Sequence, residues 1–131
     1  MSRFSDTELA YLATQRLGRL ATSKADGTLQ NSPVGFRHNP ETDTLDITGF
    51  NLAKSQKYRN VAANGRAAFV VDDIASIDPW RVRCVEIRAT AEAIEVAGVP
   101  VIRLHPRQVI SFGLDEDVEA HELTMNNRQV D

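Results

Sequence analysis

Four basic residues lie close together in one stretch of the chain, residues 51–66, and could together bind an anion. They are Lys54, Lys57, Arg59 and Arg66. No acidic residue occurs between Asp46 and Asp72, although the whole chain carries a net charge of −3. Two interpretations remain open on composition alone, because a run of like charges is often only a solvated surface. The stretch is either a site for a small anion or a basic helix face.

The start of the predicted helix within this stretch is suited to a phosphate group. Residues 49–55 have the composition of a loop from which a helix begins, so Ser55, Lys57 and several free backbone N–H groups would lie in the first turn. Those N–H groups and the positive end of the helix dipole attract anions. A phosphate site at this helix start is therefore the first functional prediction.

The sequence lacks the common catalytic and metal-binding motifs. There is no glycine-rich phosphate loop, no nucleophile elbow, and no zinc-binding spacing among three histidines and one cysteine. His38, His105 and His121 are scattered, and each is expected to be a surface or strand histidine rather than a ligand. We therefore predict no catalytic side chain and no metal site.

Length, composition and charge restrict the class of protein. The 131 residues, 42% of them hydrophobic, predict one domain over residues 1–131. Residues 114–131 are polar, acidic and aperiodic, and we expect a loosely held tail there. The net charge of −3 argues against a general binder of nucleic acid or of an anionic membrane. The expected partner is a small molecule.

The sequence also indicates a reducing compartment. Its single cysteine, Cys84, cannot form an internal disulfide, and the N-terminus lacks the basic start and apolar stretch of a secretion signal. No apolar run approaches the roughly 18 residues that a membrane-spanning helix needs. We expect a cytoplasmic protein with no membrane partner.

The elements that must position the basic stretch are mainly strands. Period-two patterns predict six of them, at residues 19–23, 28–38, 44–49, 66–71, 82–95 and 101–112. A helix over residues 6–16 precedes them, with Ser5 as its cap, and a second helix follows the basic loop and stops at Asn64-Gly65. The predicted fold is mainly β, an antiparallel six-stranded barrel with an N-terminal helix and one inserted helix.

Two further segments could contact a ligand. Pro33 interrupts the second strand, and because proline lacks the N–H that a central strand needs, residues 32–35 mark an edge, a bulge or backbone that faces a ligand. Trp80, the only tryptophan, lies in a predicted loop over residues 74–80. It is either a packing plug or a shelf for a substrate.

Four segments together carry a resemblance to a known family. They read GRLATSKADGTLQNSPVGF, DTLDITGF, KSQKYRNVAANGRAAFVVDD and VEIRATAEAIE. Over about residues 6–113 they resemble the strands of the split β-barrel flavin/deazaflavin oxidoreductases, the superfamily of pyridoxamine 5'-phosphate oxidase. The short chain and the ending IRLHPRQVISFGLD are most similar to the small F420-dependent class B branch. The resemblance implies a split β-barrel that binds F420 or, as the alternative, FMN.

The resemblance assigns the cofactor's phosphate to the start of the inserted helix. Ser55 and Lys57 match the family's phosphate-binding positions, and Lys54 lies close by. Gln56 departs from the pattern, because FMN-dependent relatives commonly have arginine there. This departure favours F420, whose tail is longer and more negative, over FMN.

The resemblance also assigns contacts to the cofactor's ring and to the substrate. The ring would lie along the backbone of Ser32, Pro33, Val34 and Gly35, and near Phe50, Asn51 and Leu52. The family usually closes its site with a second protomer, which implies a homodimer. The candidate contacts to the substrate or the partner subunit are Trp80, Arg81 and Phe112. Proline-marked strand edges favour such a twofold contact independently.

Three functions fit this interpretation. The first is an enzyme that transfers hydride between reduced F420 and an unsaturated organic substrate, with the cofactor supplying the chemistry. The second is an FMN-dependent oxidase or reductase on the same barrel. The third is a non-catalytic protein that binds a deazaflavin, a flavin or haem, since a fold alone does not determine a function.

Overall fold

The computed structural model describes residues 2–115 and 125–131, which form helices and one antiparallel sheet. The helices are α1 (Asp6–Ala13), a short 3-10 helix (Leu52–Lys54) and α2 (Gln56–Asn64). The strands are β1 (Leu17–Ser23), β2 (Leu29–Gly35), β3 (Arg37–Asn39), β4 (Thr44–Ile47), β5 (Arg66–Ser76), β6 (Arg81–Val96), β7 (Val99–Phe112) and β8 (Asn126–Gln129). Their order in the sheet is β2-β1-β5-β6-β7-β4-β3, and β8 pairs with β7.

The mainly β class with two α-helices is confirmed, but the count of six strands was wrong, because the sheet formed by residues 2–115 and 125–131 has eight. The predicted strand over residues 28–38 is divided at Phe36 into β2 and β3, which lie at opposite ends of the sheet order. The Phe36 ring packs edge-on against Phe69 at a centroid distance of 5.2 Å. The chain thus changes from one end of the sheet to the other at this residue. Closure of the sheet into a barrel stays a prediction.

Strand β5 is longer than predicted, because Asp72 and Asp73 continue it instead of ending it. Asp72 is paired with Arg19 of β1, and Asp73 Oδ1 accepts a hydrogen bond from Arg83 Nε of β6 at 2.8 Å. Each carboxylate is therefore compensated by an arginine of a neighbouring strand. The predicted loop over residues 74–80 is accordingly reduced to the turn between β5 and β6.

The prediction of a loosely held tail was wrong for the residues that form β8. Strand β8 pairs with β7, and Arg128 Nη1 donates to Glu8 Oε2 at 2.9 Å. Glu8 lies in α1, is only 1% exposed, and also accepts from the Ser111 hydroxyl at 2.6 Å. The C-terminal strand therefore ties α1 to the sheet. Residues 116–124, which include His121, lie outside the described part of the chain.

The helices begin and end close to where the sequence predicted. The Ser5 hydroxyl accepts from Glu8 N in the expected capping box, but α1 ends at Ala13 instead of residue 16. Helix α2 ends at Asn64, and Gly65 caps it with a φ of 68°, in the left-handed region that favours glycine. No helix of the described residues has the length and apolar character that a membrane span requires.

One hydrophobic core fixes the inserted helix against the sheet. Leu52 and Val61, at the two ends of this helical segment, are 3% and 2% exposed and belong to the same buried cluster as Phe69 and Ile87. The Tyr58 hydroxyl also donates to the carbonyl of Ile94 on β6 at 3.1 Å. The start of α2 is thereby held at a defined position beside the sheet.

Candidate functional site

Ser55 and the short 3-10 helix before it build the start of α2. The Ser55 hydroxyl accepts a hydrogen bond from Tyr58 N at 3.2 Å and donates one to the carbonyl of Leu52 at 2.6 Å. The first hydrogen bond of the α-helix runs from Arg59 N to Ser55 O, so the N–H groups of Gln56 and Lys57 precede it. Ser55 therefore shapes an anion-attracting helix end, while its own hydroxyl is engaged within the protein.

Lys54 and Lys57 carry positive charge at this helix start. Neither ammonium group forms a hydrogen bond or an ion pair within residues 2–115 and 125–131. The first turn of α2 contains no acidic residue. Both charges are therefore available to an anion that approaches the helix end. Binding of an anion there stays a prediction.

Arg59 adds a third cation to the same place. Its guanidinium donates to the carbonyl of Lys54 at 2.9 Å and to Gln56 Oε1 at 3.0 Å. The side chain is thus folded back over the first turn of α2. Gln56, predicted as a cofactor-binding position at which a cation has been lost, accepts a hydrogen bond from a neighbouring cation. Its contact with a cofactor stays a prediction.

Gln56 also belongs to a hydrogen-bonded path into the protein, which the sequence interpretation missed. Its Nε2 donates to Asn60 Oδ1 at 2.7 Å, and Asn60 Nδ2 donates to the Thr22 hydroxyl of β1 at 3.0 Å. Asn60 is only 2% exposed. The four-residue spacing of Gln56 and Asn60 places them on one helix face, which is the signal that could have revealed the path.

Arg66 is not brought to this site. It follows α2 at the opposite end of the helix, where its guanidinium donates to the Ser23 hydroxyl at 3.1 Å. Together with Arg88 and Arg107 it lines a separate cavity of about 600 Å³ over β1, β5 and β6. The basic stretch therefore divides into two regions, and only its first part surrounds the helix start.

Strand β2 is an edge strand, as Pro33 predicted. It is the outermost strand of the sheet order and, in the described residues, pairs only with β1. Pro33 and Gly35 are exposed, whereas Val34 is buried. The Ser32 hydroxyl oxygen is buried and has no hydrogen-bond partner within the part of the chain that the structure describes. Because buried polar atoms are normally hydrogen-bonded, this hydroxyl fits a polar edge atom of a bound ligand such as a flavin-type ring.

The second predicted ring segment leaves β4 and enters the 3-10 helix. Phe50 is 95% exposed, whereas Leu52 is buried in the core and offers a ligand only its backbone. Asn51 has a φ of 55°, in the left-handed region, which turns the chain between them. The segment therefore combines one exposed aromatic ring with a fixed turn of backbone.

A cavity of about 690 Å³ adjoins the first ring segment at Gly35. Gly35 of β2 and Thr48, which follows β4, belong to its lining. Arginines from three separate regions of the chain also line it, and they are Arg16, Arg37 and Arg103. The sequence interpretation missed this cavity, because residues so far apart in the chain show no common spacing.

Trp80, Arg81 and Phe112 lie far from the start of α2 within one chain. Trp80, 54% exposed, precedes β6, and Phe112 at the end of β7 pairs in register with Cys84. Arg81 begins β6, whereas Ile94, the partner of Tyr58, is 13 residues further along the same strand. Within one chain these three residues therefore lie toward the other end of β6 from the contact between Tyr58 and Ile94. Their predicted contact with the substrate or a partner subunit stays a prediction.

The structure offers no strongly activated nucleophile at Cys84. Burial, together with the nearby carboxylates of Asp72 and Glu86, raises the pKa of the thiol to about 11. His38 and His105 each contact one carboxylate, of Asp43 and Glu92 respectively. No group of three or more His, Cys, Asp or Glu residues in the described ranges is arranged to hold a metal ion.

Comparison with known proteins identifies relatives of this chain. The family model described as pyridoxamine 5'-phosphate oxidase matches residues 4–110. A 5a,11a-dehydrotetracycline/5a,11a-dehydrooxytetracycline reductase from Streptomyces rimosus is 41% identical over 133 aligned positions, which cover 92% of this chain and 94% of the relative.

Two solved structures share the fold at lower identity. A haem binding protein from Mycobacterium smegmatis is 19% identical with a TM-score of 0.69, over 98% of this chain and 60% of that protein. An FAD binding protein from the same species is 19% identical with a TM-score of 0.62, over 83% and 94% of the two chains. At this identity the two likenesses concern the fold alone.

Proposed function

Because the chain belongs to the pyridoxamine 5'-phosphate oxidase family, as its motifs predicted, we propose that it is a cytoplasmic, single-domain F420-dependent oxidoreductase. It transfers a hydride between reduced F420 and an unsaturated small organic substrate. The observation that carries the proposal is the helix start at Ser55, where Lys54 and Lys57 have no partner in the described residues. A family member that presents this site is suited to a phosphate-bearing cofactor.

In this proposal the chain's own residues bind and orient the cofactor. The N–H groups of Gln56 and Lys57, with the ammonium groups of Lys54 and Lys57, bind the phosphate. The buried Ser32 hydroxyl donates to or accepts from an edge atom of the ring, and Pro33 and Gly35 let the ring approach the backbone of an edge strand.

The cofactor supplies the hydride when it is bound. A conjugated carbon–carbon double bond of the substrate would gain that hydride, and a proton from solvent would complete its reduction. No side chain of the chain is required as a nucleophile, which agrees with the raised pKa of Cys84. The protein instead fixes the distance and angle between the two rings.

The charges around α2 favour F420 over FMN. F420 continues beyond its phosphate into a lactyl and oligoglutamate chain with several carboxylates, which requires cations outside the phosphate site. Arg59, held over the first turn by Gln56 and the carbonyl of Lys54, lies at the outer side of that site. Lys54 is exposed beside it. FMN ends at its phosphate and makes less use of these charges.

The substrate class follows from the relative. The Streptomyces rimosus protein is named for the reduction of dehydrotetracyclines, and 41% identity over nearly the full length of both chains supports a similar reaction type. We therefore propose a conjugated polycyclic acceptor for this chain.

A homodimer is part of the proposal. Trp80, Arg81 and Phe112 lie toward the end of β6 and β7 that is remote from the contact of α2 with Ile94, which supports a twofold partner as the source of these side chains. Sedimentation should give about twice the chain mass. A stable monomer at micromolar concentration would remove these three residues from the site.

Turnover tests the proposed function directly. Reduced F420, mixed anaerobically with the protein and a dehydrotetracycline, should be oxidised at a rate that depends on both protein and acceptor. Turnover with reduced FMN but not with reduced F420 would support an FMN-dependent reductase instead. Tight cofactor binding with no turnover of any conjugated acceptor would support the non-catalytic carrier.

A further inference from the structure

The cavity beside Gly35 has a net positive charge, and part of that charge is not compensated by a carboxylate of the described residues. Its lining contains three arginines and one aspartate, a net charge of +2, in a chain whose total charge is −3. A volume of about 690 Å³ lies within the usual range for small-molecule sites. The distribution of those charges decides what the cavity can bind.

One arginine of the lining is already paired. Arg103 donates to both carboxylate oxygens of Asp46, with two distances of 3.1 Å. Asp46 also accepts from Asn39 at 3.0 Å and from the Thr44 hydroxyl at 2.8 Å. This pair forms a neutral, fully hydrogen-bonded part of the cavity wall and offers no charge to a ligand.

The other two arginines are not paired. Arg16, which follows α1, and Arg37, at the start of β3, are exposed, and neither guanidinium has a hydrogen bond or ion pair within the described ranges. Arg37 also lines a neighbouring cavity of about 300 Å³, with Leu9 and Leu12 of α1. The cavity therefore presents two guanidinium groups without a partner in the described residues, and one of the two arginines, Arg37, lines both cavities.

Part of the lining is apolar. Val96, the last residue of β6, and Val99, the first of β7, are 43% and 50% exposed, and Val101 of β7 also lines the cavity. A valine pair left open to solvent gains from contact with a flat hydrocarbon surface. The cavity thus combines an apolar wall with two cations, which suits a ligand that has fused rings and an acidic oxygen.

We propose that this cavity binds the acceptor substrate, and that Arg16 and Arg37 select acceptors with fused rings and an ionised enol, phenol or carboxyl oxygen. The inference rests on the proposed function, because Gly35 and Thr48 place the cavity beside the proposed ring position. A ligand held there has its rings on the valine wall and its anionic oxygen on the arginines. Phosphate binding at α2 involves different residues.

Two probes that differ only in charge test this selection. They are anthraquinone-2-carboxylate and anthraquinone-2-carboxamide, whose binding to the full chain is measured by equilibrium dialysis. The unmodified protein should bind the carboxylate about tenfold more tightly than the carboxamide, because a charge-assisted hydrogen bond replaces a neutral one. Arg37→Gln should remove most of that preference, and Arg16→Gln a smaller part. Both variants should weaken carboxamide binding by less than about twofold, because glutamine can still donate a neutral hydrogen bond.

A matched control separates this site from general surface charge. Arg88→Gln removes an exposed arginine that lines a different cavity, so it should leave the preference for the carboxylate intact. Thermal unfolding of each variant confirms that the fold is kept. Equal binding of the two probes to the unmodified protein, or equal losses in Arg37→Gln and Arg88→Gln, would overturn the inference.

Titration of the same variants with F420 keeps the two proposals distinguishable. Arg37→Gln should bind F420 as the unmodified protein does. If it instead loses F420 binding and keeps the carboxylate preference, the cavity belongs to the cofactor and the inference is wrong. Failure of the unmodified protein to bind F420 would overturn the proposed function, whereas the anthraquinone result would still establish an anion-selective apolar site.

Discussion

Two groups of positively charged side chains in this protein differ in their partners. The first group joins separate segments of the chain, and the second borders the proposed binding sites. The joining arginines each contact a carboxylate, in the pairs Arg3–Asp43, Arg83–Asp73, Arg103–Asp46 and Arg128–Glu8. Four cations at the proposed sites have no hydrogen-bond or carboxylate partner in the described residues, and they are Lys54, Lys57, Arg16 and Arg37. Arg103 also lines the cavity but belongs to the joining group, because it is paired with Asp46. A cation whose charge is compensated stabilises the fold, whereas one without a partner is available to a ligand. The comparison therefore separates structural charge from binding charge.

The largest effect is expected from breaking a structural pair. Asp46→Ala would leave the Arg103 guanidinium, Asn39 and Thr44 without their shared acceptor, in a place where Asp46 is 8% exposed. The free energy of unfolding should fall by about 3 kcal/mol, which urea unfolding would measure. Glu41→Ala, which removes an exposed carboxylate, is the control and should change it by less than about 0.5 kcal/mol. Equal losses in both would mean that the pair adds no stability.

The structural pairs should also make the fold sensitive to acid. Burial would raise the pKa of Asp46, but hydrogen bonds from Arg103, Asn39 and Thr44 outweigh it and hold the pKa below the ordinary 3.8. Hydrogen bonds from Arg128, Ser111 and the backbone of Ser5 likewise outweigh burial and hold the pKa of Glu8 below 4.5.

A carboxylate whose pKa is lower in the folded protein than in the unfolded chain stabilises the fold at pH values above the unfolded pKa. This stabilisation is lost as the pH falls toward the pKa of the folded protein. Stability should therefore be kept at about pH 6 and decline steeply below about pH 4. Thermal unfolding across this range would show it. Equal midpoints at about pH 6 and about pH 3 would contradict the role given to these pairs.

Removing a cation from the proposed phosphate site should weaken ligand binding but leave stability nearly unchanged, whereas breaking a structural pair lowers stability. Lys57→Ala should weaken F420 binding about ten- to a hundredfold, because it removes one charge-assisted hydrogen bond, and should leave the free energy of unfolding nearly unchanged. Arg66→Ala is the control, since that arginine lies at the far end of α2 and contacts Ser23. Similar losses of affinity in the two variants would indicate that the basic stretch acts only as a diffuse positive surface.

Ser55 lies at the proposed phosphate site, but its hydroxyl is used within the fold. Its substitution should therefore have the smallest effect on binding. Its hydroxyl caps α2 through Tyr58 N and the carbonyl of Leu52. Ser55→Ala should therefore lower the free energy of unfolding by about 1 kcal/mol and weaken F420 binding no more than about threefold. Loss of affinity beyond about tenfold without loss of stability would show that the hydroxyl contacts the phosphate instead.

Local chemistry made the start and end of α2 predictable from the sequence. Gly65 could be recognised as a left-handed stop, and Pro33 as the mark of an edge, a bulge or ligand-facing backbone, because each depends on residues within one turn or strand. Ser55 was expected in the first turn and is the N-cap that precedes it. The family resemblance added the ring segments beside Pro33 and Phe50.

Features that depend on distant residues could not be read from local patterns. The sequence predicted that the strand ends before Asp72 and Asp73, but the fold brings Arg19 and Arg83 beside their carboxylates and the strand continues. Strand β8 is polar, and its position depends on pairing with β7 and on the contact of Arg128 with Glu8. The cavity arginines fall in separate segments with no shared period, so only the fold brings them together.

The identity of the cofactor tests the central claim most directly. Fluorescence titration with F420 and with FMN, each at about 50 mM and about 300 mM salt, compares the two ligands on the same helix start. F420 should bind at low micromolar or better, at least about tenfold more tightly than FMN, and should lose more affinity as salt rises because its carboxylates use exposed cations. FMN binding as tight as that of F420, with equal salt dependence, would contradict the assignment and favour a flavin enzyme.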